Sequence, residues 1–333
     1  MLVGAGGHNY EWIDGWARVP DSENARGGWA HPGIAVTEGG NIVTYHPGDP
    51  TVLIFDPDGN LLTSWDSGVL EGHGITTTKD GDTEYLWIAD NGVKNVKETG
   101  YRWLPKGKMG QVVKMTLDGQ RVMKLAPPDL PVYRDGEYLP TSVAVNEGRH
   151  DGNGDVWVAD GYGMSYVHRF DKGGGYLSSI NGEEGDAGRL NEPHAVFIDR
   201  RKPEPELYIS DRSNKRVQVY DLKGNFKRAF GNAFLNSPSG FVTFGEFMVV
   251  AELRARLVVL DLHDSYVCEL GKNEQVCNVV GWPNSKRGDE IVPTVFLEAG
   301  KFNSPHGMAI DAHDNLYVAE WLIGGRVTKL AKR

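Results

Sequence analysis

The sequence predicts an all-β protein, a six-bladed β-propeller, and two observations carry that expectation. The first is a unit of four short runs within residues 190–231, read as PHAVFID, LYISD, RVQVYD and FKRAF. Val, Ile, Tyr and Phe fill the runs, while Asp, Asn, Lys and Gly fill the gaps, the composition of strands joined by tight turns. The second is recurrence. Such a unit cannot bury both of its faces alone, and the same grammar returns until the chain holds six copies.

In chain order, the units start at Pro32 (PGIAV…NIVTY…TVLIF), His73 (HGITTT…EYLWIAD…QVVKMT), Thr141 (TSVAV…DVWVAD…YVHRF), Leu190, Ser239 (SGFVTF…FMVVAE…RLVVLD) and Phe302. The last unit has only three runs, PHGMAID, NLYVAE and GRVTKLAK. Residues 9–20 (NYEWIDGWARVP) precede the first unit and read as a strand rich in Trp and Tyr. They are expected to supply the missing outer strand, so that the N-terminal strand joins the last blade and closes the ring. The expectation is one domain over residues 1–333. Longer turns are inserted at residues 91–110, 126–138, 149–154 and 271–301. Loops of that length on a rigid scaffold are where ligand contacts gather. The insertion at 271–301, with Trp282 and Pro283, reads either as a lid or as rim packing.

Composition narrows the function classes. A net charge of −10 and a pI near 5.5 argue against a nucleic-acid partner. No run is long and apolar enough for a transmembrane helix, so no membrane partner is expected. The start of the sequence lacks the basic and apolar regions of a secretory signal, and the expected location is cytoplasmic. The two cysteines, Cys268 and Cys277, read as free thiols or as one disulfide.

The chemistry emerges when the units are superposed. The first residue of each innermost strand is Pro32, His73, Thr141, His194, Ser239 and His306. Histidine recurs at every second unit, so three imidazoles are expected to converge on the propeller axis at one height. Three His with a position left open is the pattern of a catalytic zinc site, although Fe, Co and Cu also suit imidazole. A strand-start histidine can equally be a hydrogen-bonded structural residue. The ends of the second strands form another register: Tyr45, Asp90, Asp160, Asp211, Glu252 and Glu320. These acids read as turn caps. The residues after them vary and suit a substrate site: His46, Asn91, Tyr162, Arg212, Arg254 and Trp321. Tyr162 and Arg212 stand out beside His194, since a metal and a cation can make a tyrosine a proton acceptor. The alternative for each is a rim residue bonded to a neighbouring loop.

The unit grammar, with its RVQVYD-like third strands, resembles the NHL repeat. Within that class the chain resembles peptidyl-α-hydroxyglycine α-amidating lyase. EGHG at His73, EPHA at His194 and SPHG at His306 match that family's three zinc-histidine motifs. ADGY at Tyr162 matches its catalytic tyrosine, and SDR at Arg212 its active-site arginine. The resemblance covers nearly the whole chain. It implies an NHL-type six-bladed propeller with Zn2+ on His73, His194 and His306, and Tyr162 and Arg212 as catalytic residues.

The chain also departs from that pattern. Where the family has an arginine after the first-unit histidine, the sequence reads HPGD and places Pro47. Ser304 and Gly307 stand where the family has a methionine and an acid linked to calcium, which puts structural Ca2+ in doubt. The expected function is a zinc-dependent, lyase-like enzyme that cleaves a C–N or C–O bond of a small hydroxylated substrate. His46, Arg254 and Trp321 are expected at the substrate. A metal-dependent hydrolase or lactonase would use the same residues. A non-catalytic scaffold that binds a protein partner would not need three converging histidines.

Overall fold

The computed structural model describes residues 1–46, 48–49, 51–277, 286–287, 290–291 and 297–333, with backbone alone for 277, 286, 287, 290 and 291. Pro47, Trp282 and Pro283 therefore lie outside the described residues, as does the side chain of Cys277. Cys268 is a buried free thiol. Among the described residues, no helix is long and apolar enough to cross a membrane.

Strands β1 (Leu2–Ala5) and β2 (His8–Ile13) and the short helix α1 (Glu23–Gly27) come first. The first blade is β3 (Ile34–Val36), β4 (Ile42–Tyr45), β5 (Thr51–Phe55) and β6 (Leu61–Asp66). The second is β7 (Gly72–Asp80), β8 (Thr83–Asp90), β9 (Gln111–Thr116) and β10 (Arg121–Leu125). The third is β11 (Ser142–Val145), β12 (Val156–Asp160), β13 (Tyr166–Phe170) and β14 (Tyr176–Ile180). The fourth is β15 (Pro193–Asp199), β16 (Glu206–Asp211), β17 (Arg216–Asp221) and β18 (Phe226–Phe230). The fifth is β19 (Pro238–Phe244), β20 (Phe247–Glu252), β21 (Arg256–Leu260) and β22 (Tyr266–Leu270). Helix α2 (Glu274–Cys277) and the two-residue strands β23 (Lys286–Arg287) and β24 (Glu290–Ile291) lie in the long insertion. The sixth blade takes β25 (Pro305–Ile310), β26 (Leu316–Glu320) and β27 (Arg326–Lys332). The fold class is the expected one, an all-β six-bladed propeller.

Both chain ends build the last blade, whose strand order is β1-β2-β27-β26-β25. Tyr10 faces Lys332 and Trp12 faces Leu330 across the β2–β27 ladder. The expectation of one strand over 9–20 needs correction in its bounds. Pairing ends at Ile13, after which Gly15 turns the chain with φ +58°. Trp16 then plugs into the core, 5% exposed, its indole N–H donating to the Pro57 carbonyl at 3.0 Å.

The chain packs as two compact units with three blades each. One comprises Met1–Gly68, Lys94–Trp103 and Phe241–Arg333; the other comprises Val69–Val93 and Leu104–Gly240. In the first, Trp12, Val249, Leu257 and Phe302 belong to one buried cluster, and Trp16, Ile42, Phe55 and Tyr317 to another. In the second, Trp157, Ile180, Leu207 and Ile209 fill the space between the third and fourth blades. Trp157 is fully buried. Trp157→Ala is expected to lower unfolding free energy by about 3–5 kcal/mol, the usual result of emptying an aromatic site in a packed core. Urea unfolding checks this, and a loss below about 1 kcal/mol would show that the blades collapse into the space.

The tight turns follow from aspartate chemistry. Asp56 Oδ1 accepts from the N–H groups of Asp58 and Asn60, and Asp221 Oδ1 from those of Lys223 and Asn225. Each carboxylate thus closes the hairpin between the third and fourth strands of its blade. The acids at the ends of second strands act as caps, as their register suggested. Asp90 accepts from the Leu70 and Glu71 N–H groups, Asp211 from Asn191, and Glu320 from Asn303 and Ser304.

Candidate metal and proton-transfer site

His73, His194 and His306 are each the second residue of an innermost strand, and each is 2% exposed. A break in the ladder register falls at each of them, between Gly72 and Gly74, Pro193 and Val196, and Pro305 and Gly307. The β3–β4 and β11–β12 ladders run without such a break. A bulge re-aims the side chain it carries, and this one turns an imidazole out of the sheet alternation.

The residues at the intervening register positions explain the alternation. His73 Nδ1 lies 2.6 Å from the Thr141 carbonyl oxygen, and His194 Nδ1 lies 2.8 Å from that of Ser239. His306 Nδ1 lies 3.2 Å from the Pro32 carbonyl oxygen. A carbonyl only accepts, so each Nδ1 carries the proton and donates it, which puts the lone pair on Nε2. That is the tautomer a metal requires, with ring orientation set by the second nitrogen. The donor set therefore fits a divalent transition metal.

In the second unit, the ring nitrogens of His73 and His194 lie within 4.8 Å of each other. Each Nε2 is 3.1 Å from the Tyr162 hydroxyl. Arg212 Nη2 donates to the same hydroxyl at 3.2 Å, and its guanidinium lies 5.2 Å from the phenol ring centroid. Arg212 is 8% exposed and pairs with Glu192, while its Nη1 has no hydrogen-bond partner among the described residues. Burial pushes the Tyr162 phenol well above its ordinary range, and Arg212 opposes this without overcoming it. With no metal, Tyr162 is a neutral phenol at neutral pH.

In the compact unit that holds both chain ends, His306 packs against His31, with ring centroids 4.5 Å apart and ring nitrogens within 4.8 Å. His31 also contacts Trp321, which stacks on Trp29 at 5.0 Å. The sequence reading missed His31. Its signal was the His-Pro pair one residue before the first register position. Trp321 thus forms part of an aromatic wall beside His306. His46 is buried, and its Nδ1 accepts from the Gly48 and Asp49 N–H groups at 3.1 Å each. Burial lowers its pKa, with Asp49 opposing and Lys94 assisting, so His46 holds its turn as a neutral ring. Lys94, also missed, brings a cation close to His46 from the insertion after the second strand of blade two, 5.8 Å from the Tyr45 ring centroid. Arg254 is exposed on the β20–β21 turn.

Gly307 has a steric reason. A Cβ there would lie 2.6 Å from the Pro32 carbonyl oxygen and 3.1 Å from Gly33 Cα, so an acid cannot follow His306 without moving backbone.

No family model matches the sequence. It is 27% identical over 218 residues to human (Homo sapiens) NHL repeat-containing protein 3, covering 63% of this chain and 58% of that one. It is 25% identical over 286 residues to peptidyl-α-hydroxyglycine α-amidating lyase 1 of Drosophila melanogaster, covering 82% and 47%. The chain is similar to NHL-repeat proteins and to amidating lyases. A probable amidating lyase of Caenorhabditis elegans is again 25% identical, over 56% of this chain and 54% of that one. The chain spans about half the length of these curated relatives. Two solved structures have the same fold. Virginiamycin B lyase from Staphylococcus aureus with quinupristin superposes with TM-score 0.59 at 12% identity, over 97% and 99% of the two chains. A gluconolactonase from Xanthomonas campestris gives 0.56 at 13% identity, over 93% and 89%. The NHL-type resemblance read from the motifs is thus met again in these relatives.

Proposed function

We propose that the protein is a metal-dependent, lyase-like enzyme acting on a small hydroxylated substrate. Its metal, Zn2+ first among the divalent transition metals, would be held by His73, His194 and His306. One observation carries this reading: three bulged histidines with their Nδ1 protons given to backbone carbonyls, two of them meeting at a tyrosine hydroxyl bonded to arginine. A bound metal would supply Lewis-acid polarisation of a substrate oxygen.

The remaining work falls to the chain's own residues. Tyr162 Oη takes the proton of the substrate hydroxyl, and Arg212 Nη2 stabilises the phenolate character that this requires. The C–N or C–O bond next to the hydroxyl-bearing carbon breaks as that carbon becomes a carbonyl. Tyr162 then returns that proton to the departing nitrogen or oxygen. Arg212 Nη1, buried and without a hydrogen-bond partner among the described residues, is available to an acceptor group of the substrate.

Pro47 bears on the choice of substrate. Proline offers neither charge nor donor where the resembling lyases have an arginine, and losing a charge-assisted contact costs about 2–5 kcal/mol. We therefore expect slow glyoxylate release from an α-hydroxyglycine-terminated peptide supplied with zinc, and faster turnover of smaller or less anionic hydroxylated compounds. Peptide cleavage at rates normal for a dedicated amidating lyase would overturn the Pro47 argument. Hydrolysis of lactones alone would move the protein to the hydrolases. No turnover by zinc-loaded protein across such a panel would favour the scaffold reading.

A further inference from the structure

Third-strand residues separate blade three from its neighbours. In blades two, four, five and six an amide or guanidinium meets the acid that ends the second strand. Gln111 donates to Asp90 at 3.0 Å, and Arg216 and Gln218 to Asp211 at 2.6 and 3.1 Å. Arg256 donates to Glu252 at 3.3 Å, and Arg326 to Glu320. Blade three has Tyr166 and His168 where blade four has Arg216 and Gln218. Its acid, Asp160, is fully buried and takes its side-chain hydrogen bond at 2.6 Å from Tyr133, which the 126–138 insertion delivers. Asp160 also holds both sides of Tyr162. It accepts from the Leu139 N–H at 2.6 Å, and the Leu139 carbonyl in turn accepts from the Tyr162 N–H at 3.3 Å. Beyond Tyr162 it accepts from the Met164 N–H at 2.7 Å. A Cβ on Gly163 would lie 2.1 Å from the carboxylate, which is why a glycine follows Tyr162.

The hydrogen bonds continue outward in one direction. An ionised Asp160 only accepts, so Tyr133 donates to it and accepts from His168 Nε2–H at 2.6 Å. His168 Nδ1 then accepts from the Ser179 hydroxyl at 2.8 Å. Ser179 accepts from Tyr176, also at 2.8 Å, and Tyr176 is 42% exposed. The groups around Asp160 are Tyr133, Tyr138, His168 and Tyr166, none of them cationic, since burial pushes His168 down to about 3. Burial likewise pushes Asp160 up to about 6, against the pull of its donors.

We propose that Tyr133 and His168 are positioning residues for Tyr162, a neutral relay that replaces the amide or cation of the other blades and leaves the Tyr162 turn held by a carboxylate that a proton can reach from the surface. A proton taken up by Tyr176 moves one proton across each bond, through Ser179, His168 and Tyr133. Asp160 gains a proton, every relay group ends neutral, and His168 changes tautomer. The protonated acid is a weaker acceptor for the N–H groups on either side of Tyr162. The inference rests on the reading of Tyr162 as the proton-transfer group, but its test requires no turnover.

The test is NMR of protein labelled with 13Cζ-tyrosine, with the Tyr162 resonance assigned by its loss in Tyr162→Phe. The Tyr162 signal should shift with pH around a midpoint near 6, and Asp160→Asn should remove that midpoint. Tyr133→Phe takes away a donor to the charged acid and should raise the midpoint by about one unit. Adding His168→Gln, the residue blade four uses, should bring it back down. A Tyr162 signal with no midpoint between about pH 5 and 8, or one unmoved by Tyr133→Phe, would overturn the proposal. If the variants do not fold, 15N shifts of His168 in the unaltered protein decide it: an Nδ1–H tautomer at about pH 7.5 would break the relay. Failure of the catalytic reading would appear elsewhere, as unchanged turnover in Tyr162→Phe.

Discussion

Replacing His194 by alanine is expected to take bound transition metal from about one per chain to a trace while the blades stay folded. Loss of a partner that merely orients a ligand costs about 10–100-fold in metal affinity, and loss of a ligand costs more. The fold should survive because the buried cluster of that blade, with Leu207, Ile209 and Tyr220, does not depend on the imidazole. Elemental analysis of protein purified without chelator, with thermal melts by circular dichroism, reads both outcomes. Stoichiometric metal in the variant, or none in the unaltered protein, would remove the metal from the proposed mechanism.

Tyr162→Phe should lower turnover by roughly 100-fold or more with metal content unchanged, the usual scale for a positioned acid or base. Phenylalanine keeps the ring that packs beside His73 and His194 at centroid distances of 5.0 and 5.6 Å, so the substitution isolates the hydroxyl. Arg212 loses one of its two partners in that variant and keeps Glu192. Unchanged turnover on a substrate found by the panel would leave Tyr162 as a packing residue and return the proton transfer to solvent.

Much of this architecture was legible because repetition turns a weak local signal into a register. Each blade shows the period of strands and turns, and six copies put His73, His194 and His306 at one register position. The same register placed Tyr162 and Arg212 after the acids of adjacent blades, and they meet at 3.2 Å. His31 and Lys94 were not legible in this way. Each lies off the register, one before a strand start and one inside an insertion, and period carries no information there.

The sequence by itself determined the all-β class, the blade boundaries, the use of both chain ends in the last blade, and the histidine alternation. Those follow from local polarity and turn chemistry, which each repeat states again. Only the tertiary structure decided what each histidine of that alternation is bonded to. The intervening Pro32, Thr141 and Ser239 lend carbonyls that set the tautomer of each histidine, a relation across 45 to 274 residues that no local pattern encodes. It also decided the setting of Asp160. An aspartate at the same register position as Asp90 and Asp211 meets no side-chain amide or cation among the described residues, because the side chains opposite it are phenol and imidazole. Burial, which depends on everything packed around a group, then pushes its pKa up to about 6.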